Sequence, residues 1–248
     1  MSLHVHPNAG PGALLALGGG VLVLLTRQGT VAGALAGFVV ALLAALGFGA
    51  GAIFPLAIFV FGSGILTRLG RERKERIGAA QADRGRRGTA HVLAKLSLPA
   101  LAGALALLGA APERALALVY VASLAGAFAD TAATELGPVL GGPAFALRGA
   151  RPRVIAHGTP GGMSAAGFAA SAAGALAVAL GALATRLLGA SPEAWVAAAA
   201  GFLASASESL LAGTAWGSRA GHHGRNVFLS VASAGLALSA RALGWAGP

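Results

Sequence analysis

The chain has 248 residues, of which 56% are hydrophobic and only 10% charged, with a formal net charge of +10. Together with a mean hydropathy of +0.76, this excludes an ordinary soluble globular protein and points to a polytopic membrane protein. The absence of cysteine excludes disulfides, thiolate metal sites and cysteine nucleophiles.

Apolar stretches long enough to cross, or nearly cross, the hydrocarbon fall at about 12–26, 30–48, 50–67, 92–110, 113–134, 162–188, 193–213 and 225–245. The first three are short, so the predicted fold is an all-α bundle of six to eight transmembrane spans, a single integral membrane domain over residues 1–248. A neutral head, Met1 to Gly10, precedes the first apolar segment, and no small-residue cleavage site follows it. That segment is read as a retained helix rather than a removed signal peptide.

Three polar stretches separate the apolar ones. Residues 68–91 are a charge run, residues 137–161 are rich in Gly and Pro with Arg148, Arg151 and Arg153, and residues 214–226 hold Arg219, His222, His223, Arg225 and Asn226. With eight spans these stretches, Arg27 and Lys95 fall on one side, which collects 15 of the 18 Lys and Arg. Arg114, Arg186 and Arg241 remain for the other side. The positive-inside rule then predicts that the basic side is cytoplasmic, in the cytoplasmic (inner) membrane. Nucleic-acid binding is not expected, because the basic loop has no aromatic residues interleaved with its charges.

Asp130, Glu135 and Glu208 lie inside otherwise apolar segments. A carboxylate at the bilayer centre costs roughly 2.5–3.5 kcal/mol on insertion scales, so it needs a partner, a cavity or a cation. On a continuous helix Asp130 shares a face with Thr134, and Thr131 with Glu135. The two carboxylates are then about 140° apart, so both could hold a single metal only if the helix broke, which Gly137-Pro138 invites. Oxygen ligands without His or Cys favour Mg²⁺. The alternatives are a proton relay, or a plain hydrogen bond from a helix end to a neighbouring helix.

The run His157-Gly158-Thr159-Pro160-Gly161-Gly162-Met163-Ser164 precedes an apolar helix. It reads either as a phosphate-binding loop at a helix N-terminus or as a turn capped by Ser164 or Thr159. In the charge run, Arg84, Arg86 and Arg87 either bind phosphates or belong to a solvated topogenic loop. Lys95 either snorkels to the surface or reaches a phosphate. Glu208-Ser209 and Asn226 could complete a metal or ribose site. The adjacent histidines are not read as a zinc site, and His4 and His6 look incidental.

The order of motifs resembles an integral membrane family, known in prokaryotes as a domain of unknown function, that contains the plant phytyl-phosphate kinase of the vitamin E pathway. The resemblance rests on Ser63-Gly64-Ile65-Leu66-Thr67-Arg68, on Gly85-Arg86-Arg87 with Val92-Leu93-Ala94, and on Asp130-Thr131-Ala132-Ala133-Thr134-Glu135-Leu136-Gly137. It continues through Gly158-Thr159-Pro160-Gly161-Gly162-Met163-Ser164, Glu208-Ser209-Leu210-Leu211-Ala212-Gly213 and Asn226-Val227-Phe228. It implies a kinase that converts a phytyl or prenyl monophosphate to the diphosphate, with Mg²⁺ and, by distant similarity to dolichol and phytol kinases, CTP. Carried over, Asp130, Thr131 and Glu135 would form the catalytic core, with Glu208 as a further metal ligand. Gly158, Thr159, Gly161, Gly162 and Ser164 would form the phosphate loop, and Arg86, Arg87, Lys95 and Asn226 would bind the nucleotide or its phosphates. The chain departs from the family pattern in having Glu208 for Asp, and His91 and Lys95 for Gln and Asn.

The expected partners are thus a nucleoside triphosphate, a prenyl phosphate, membrane lipid and, as an open case, a second copy of the chain in a homo-oligomer. A flippase or transporter of a lipid phosphate or small anion is the alternative, although no inverted repeat is evident. A lipid-phosphate nucleotidyltransferase is a third reading.

Overall fold

A 28-residue helix, Glu113–Leu140, forms the central pillar of the molecule, and 89% of its most apolar window is buried by neighbouring helices. It is the sixth of nine α-helices in the computed structural model, which describes residues 3–81, 85–148, 151–189 and 191–246. The others are α1 (Ala9–Leu25), α2 (Val31–Phe48), α3 (Ile53–Arg68), α4 (Arg71–Arg76), α5 (Thr89–Leu107), α7 (Ala165–Ala184), α8 (Ser191–Ala212) and α9 (Ala215–Ala242). Around α6 pack α3, α5, α7, α8 and α9, while α1 and α2 lie outside against α3 and α5.

Among the described residues six helical segments are long and apolar enough to cross a membrane: α2, α3 with its leading 3-10 turn (Ala50–Arg68), α5, α6, α7 and α8. Helix α1 is apolar but has only 17 residues. Helix α9 opens with a polar segment and leaves helical geometry at Gly221, where φ is 63°.

Contacts sort the helix ends into two sets. At one end the amide of Thr30 bonds the Arg87 carbonyl at 3.1 Å, and the Arg68 guanidinium donates to the carbonyl of Thr26. At the other, the amides of His4 and His6 bond the carbonyls of Leu107 and Leu46, and Arg241 pairs with Glu193 at 3.3 Å. The first end carries the basic residues of the loops. There Thr30, Ser164 and Thr214 cap α2, α7 and α9, each accepting from the glycine amide three residues on. Such caps contribute about 1 kcal/mol each.

Small residues allow the close approaches between helices. A Cβ added at Gly201 of α8 would fall 2.6 Å from the backbone nitrogen of Gly126 in α6, so only glycine lets these backbones meet.

The polar stretches are more ordered than the sequence suggests. Helix α6 does not break at Gly137-Pro138 but runs on to Leu140, with Gly141 (φ 83°) ending it. A two-stranded antiparallel hairpin follows, β1 (Ala144–Arg148) and β2 (Arg151–Ile155), with Ala144 opposite Ile155. Ala144 and Ala146 are buried while Phe145 between them is exposed, the period-two pattern of a half-buried strand. Residues 215–226, expected as loop, form the first turns of α9. Six residues of the charge run form α4.

Candidate functional site

At the basic end, α5, α6, α8, α9 and the segment leading into α7 enclose a polar cavity of about 470 Å³. That volume lies within the usual range of ligand pockets, ~300–1,000 Å³. Helix α6 contributes Asp130 and Thr131, and α8 contributes Glu208. Helix α5 adds Lys95, α9 adds Asn226, and the loop before α5 adds Arg86 and Arg87. The glycine-rich segment supplies Gly158, Thr159, Gly161, Gly162 and Ser164. Asp83 and Arg84 lie outside the described residues.

Glu135 is the predicted site residue that does not line this cavity. Its carboxylate lies just beyond the edge of the cavity, on the side of α6 that meets α3 and α4. There it accepts from Lys74 Nζ at 2.6 Å, Gln81 Nε2 at 2.6 Å and Thr67 Oγ1 at 2.8 Å. Lys74, from the middle of the charge run, is only 1% exposed and also donates to the carbonyls of Leu66 and Thr67. The expectation of a wholly solvated loop fails at this residue, because its ammonium is drawn in by a buried carboxylate.

Arg87 joins this cluster to the cavity. Its guanidinium donates to Gln81 Oε1 at 2.8 Å and to Thr67 Oγ1 at 3.3 Å, and both partners also bond Glu135. Its backbone is fixed against the α1–α2 turn through Gln28 and Thr30. Burial pushes the Arg87 guanidinium below its ordinary pKa, and the charges of Glu135 and Asp130 pull it back up. Arg86, beside it, is exposed and reaches the same cavity.

Lys95 does not snorkel. It is 3% exposed, and its ammonium lies 2.8 Å from Asp130 Oδ2 and 3.1 Å from Thr131 Oγ1. On the opposite wall Arg225 Nε lies 2.8 Å from Glu208 Oε1. Each intramembrane carboxylate therefore has its own cation: Lys74 for Glu135, Lys95 for Asp130 and Arg225 for Glu208. Lys74 and Lys95 are the chain's two lysines, set among 16 arginines, and both are buried. That rarity was the sequence signal for Lys74. Gln81 and Arg225 had none.

Ser164 acts as the cap of α7, its hydroxyl accepting from the amide of Gly167 at 3.0 Å. The glycines before it serve geometry. Gly158 and Gly161 have φ of 83°, and a Cβ at Gly161 would fall 2.8 Å from the backbone nitrogen of Gly213. Met163 pairs with Phe145 through both backbone bonds, at 2.7 and 2.8 Å, tying the segment to the hairpin. Asn226 Nδ2 lies 3.2 Å from His222 Nε2, and the His222 and His91 rings stack with centroids 5.7 Å apart.

A bundle of apolar helices long enough to cross a bilayer, with a polar chamber at its basic end, is the architecture of an integral membrane protein. Residues 14–233 match the family described as Integral membrane protein DUF92, and the chain belongs to that family. An uncharacterized membrane protein of Synechocystis sp. is 37% identical over 132 residues, covering 51% of this chain and 50% of that protein. The chain thus spans about half the length of the curated relative it matches. No solved structure matches it.

Proposed function

We propose that the protein is an isoprenoid-monophosphate kinase that transfers the terminal phosphoryl group of a nucleoside triphosphate, CTP by family resemblance, to a phytyl or prenyl phosphate. The observation that carries this reading is the convergence in one cavity of Asp130 and Glu208, the 158–164 glycine segment, and the cations Arg86, Arg87 and Lys95. Phosphoryl transfer depends mostly on positioning and charge neutralisation, and these are the parts it needs. The order of motifs along the chain supports the same reading.

The donor set fits Mg²⁺. Among the described residues no group of three or more His, Cys, Asp and Glu could cage a metal. Mg²⁺, however, is ordinarily held by one or two carboxylates together with water and substrate phosphates. Asp130 and Glu208, both partly exposed to the cavity, would hold it, and it would neutralise charge on the transferring group. Glu135 is assigned a positioning role, because it orders Arg87 through Gln81 and Thr67.

In this mechanism an oxygen of the acceptor phosphate attacks the γ-phosphorus. The bond from that phosphorus to the β–γ bridging oxygen breaks, and the nucleoside diphosphate leaves. The acceptor is already ionised, so no general base is required. Arg86, Arg87 and Lys95 offset the charge of the two phosphate groups. Lys95, itself held by the Thr131 hydroxyl, orients Asp130, and the glycine backbone cradles the triphosphate. The basic end faces the cytoplasm of a cell bounded by its inner membrane, where nucleotides are found.

The test is turnover by purified protein in nanodiscs with Mg²⁺, a panel of nucleoside triphosphates, and phytyl, geranylgeranyl or farnesyl phosphate. The reading expects a prenyl diphosphate and an equal amount of nucleoside diphosphate. Transbilayer movement of the lipid phosphate without nucleotide consumption would instead make the protein a flippase.

A further inference from the structure

A second cavity, of about 130 Å³, lies between α1, α2, α3 and α5. It meets the polar cavity at Gly85, Arg87, His91, Lys95 and Thr131, which line both. From that junction its wall along α3 runs from Thr67 to Ile53, about 21 Å at 1.5 Å per residue. This exceeds the ~15 Å of hydrocarbon in one leaflet. Beyond the junction the walls are apolar, including Val23, Phe38, Leu56 and Val60. Leu15, half exposed on α1, lines the far part, so the groove reaches the lipid-facing surface.

Two features mark it as built for a ligand with a polar head and a single tail. Near the junction Ser63 Oγ is buried with no hydrogen-bond partner. Along the bore, a Cβ placed at Gly19 or Gly37 would meet nothing within 4 Å, so the missing side chains themselves make the space. The groove has little more than a quarter the volume of the polar chamber, which suits one chain better than a pair.

Building on the kinase reading, we infer that this groove is the tail channel of the acceptor lipid, a single-chain prenyl phosphate whose head lies at Arg87 and Lys95 where the two cavities meet. Gly19 and Gly37 set its bore and hence the chain it admits. The two substrates enter from different sides. The nucleotide comes from the aqueous chamber and the lipid from within the bilayer, and they meet over Thr131.

The chain has no cysteine, so a single introduced thiol reports on the groove directly. Gly37→Cys and Gly19→Cys, with Leu35→Cys as a control 61% exposed on the outer side of α2, are alkylated with N-ethylmaleimide in detergent. Intact mass gives the rate. Geranylgeranyl phosphate at ten times its Kd is expected to slow labelling of both glycine variants about tenfold by mass action, and to leave Leu35→Cys unchanged. Inorganic phosphate, geranylgeraniol and a two-chain phosphatidic acid should not protect, and adding Arg87→Gln should abolish protection. Labelling that is indifferent to prenyl phosphate in either folded glycine variant overturns the channel. Equal protection by geranylgeraniol or phosphatidic acid overturns it too, making the groove a site for bulk lipid. The labelling needs no nucleotide, so protection here together with no turnover in the separate nanodisc assay retains the channel and removes the kinase reading. Turnover without protection does the reverse.

Discussion

Lys74 and Glu135, 61 positions apart in sequence, form a 2.6 Å ion pair whose two side chains are almost fully buried. Removing one member of such a pair strands the other, at a cost of about 3–5 kcal/mol. Lys74→Met should therefore lower the thermal midpoint in detergent sharply. The double variant Lys74→Met/Glu135→Leu, which removes both charges, should recover most of the loss. A double variant no more stable than Lys74→Met would show that the pair does not anchor the charge run to α6.

Asp130 and Glu135 should separate under mutation. Asp130→Asn removes a partly exposed carboxylate from the cavity wall, while Lys95 retains Thr131 and the carbonyl of Ala127. Turnover should fall about 10²–10³-fold, the scale for losing one preorganised charge, while the unfolding midpoint falls less than for Glu135→Gln, because the Asp130 side chain is 17% exposed and that of Glu135 only 2%. Glu135→Gln should lose stability first and activity through it. Calorimetry and turnover on the same preparations check the contrast.

The contrast also shows what was legible in the sequence. Asp130 and Glu208 stood out because a carboxylate in apolar sequence needs a reason, and both line the cavity. Glu135 stood out for the same reason, yet the 100° per residue of a helix turns it away from Asp130 once α6 continues through Pro138. Its partner Lys74 was passed over despite its rarity, because a lysine in a run of arginines carries the pattern of a solvated loop. The apolar spans were readable from length and hydropathy, within a few residues at each end except at the end of α6 and the start of α9. The hairpin was not, because its strands are five residues each and lie between glycines that read as loop. The early turns of α9 were masked by polar residues that face the chamber, among them His222, Arg225 and Asn226.

Glu208 should govern the cation. Glu208→Gln is expected to raise the Mg²⁺ concentration for half-maximal rate about tenfold, equivalent to ~1.4 kcal/mol of lost binding. The maximal rate at saturating Mg²⁺ should change less. A Mg²⁺ titration that superimposes on that of the unmodified protein would remove Glu208 from the metal site.

Gly161 should be far less tolerant than Gly142. Both have φ near +83°, so alanine strains either by about 1–2 kcal/mol. Only Gly161 also packs against the backbone of Gly213 and Ser209, whereas a Cβ at Gly142 meets nothing within 4 Å. Gly161→Ala should therefore lose more stability, and more activity, than Gly142→Ala in parallel unfolding and turnover assays.

Orientation is testable with single thiols. Arg153 and Glu113 are exposed at opposite ends of the bundle. In intact cells a membrane-impermeant maleimide should modify Glu113→Cys and reach Arg153→Cys only after permeabilisation. The opposite pattern would place the chamber outside the cytoplasm and deprive it of nucleotide.

The central claim, that this chamber transfers a terminal phosphoryl group to a lipid phosphate, is tested most directly by following the label from a nucleoside triphosphate radiolabelled at either the γ or the α phosphorus. Label from the γ position should appear in the prenyl diphosphate, label from the α position should stay in the nucleoside diphosphate, and Asp130→Asn should cut transfer about 10²–10³-fold. Label from the α position in the lipid product, with release of pyrophosphate, would make the protein a nucleotidyltransferase. No label in lipid from either position, with folded protein and every acceptor tried, would contradict the account.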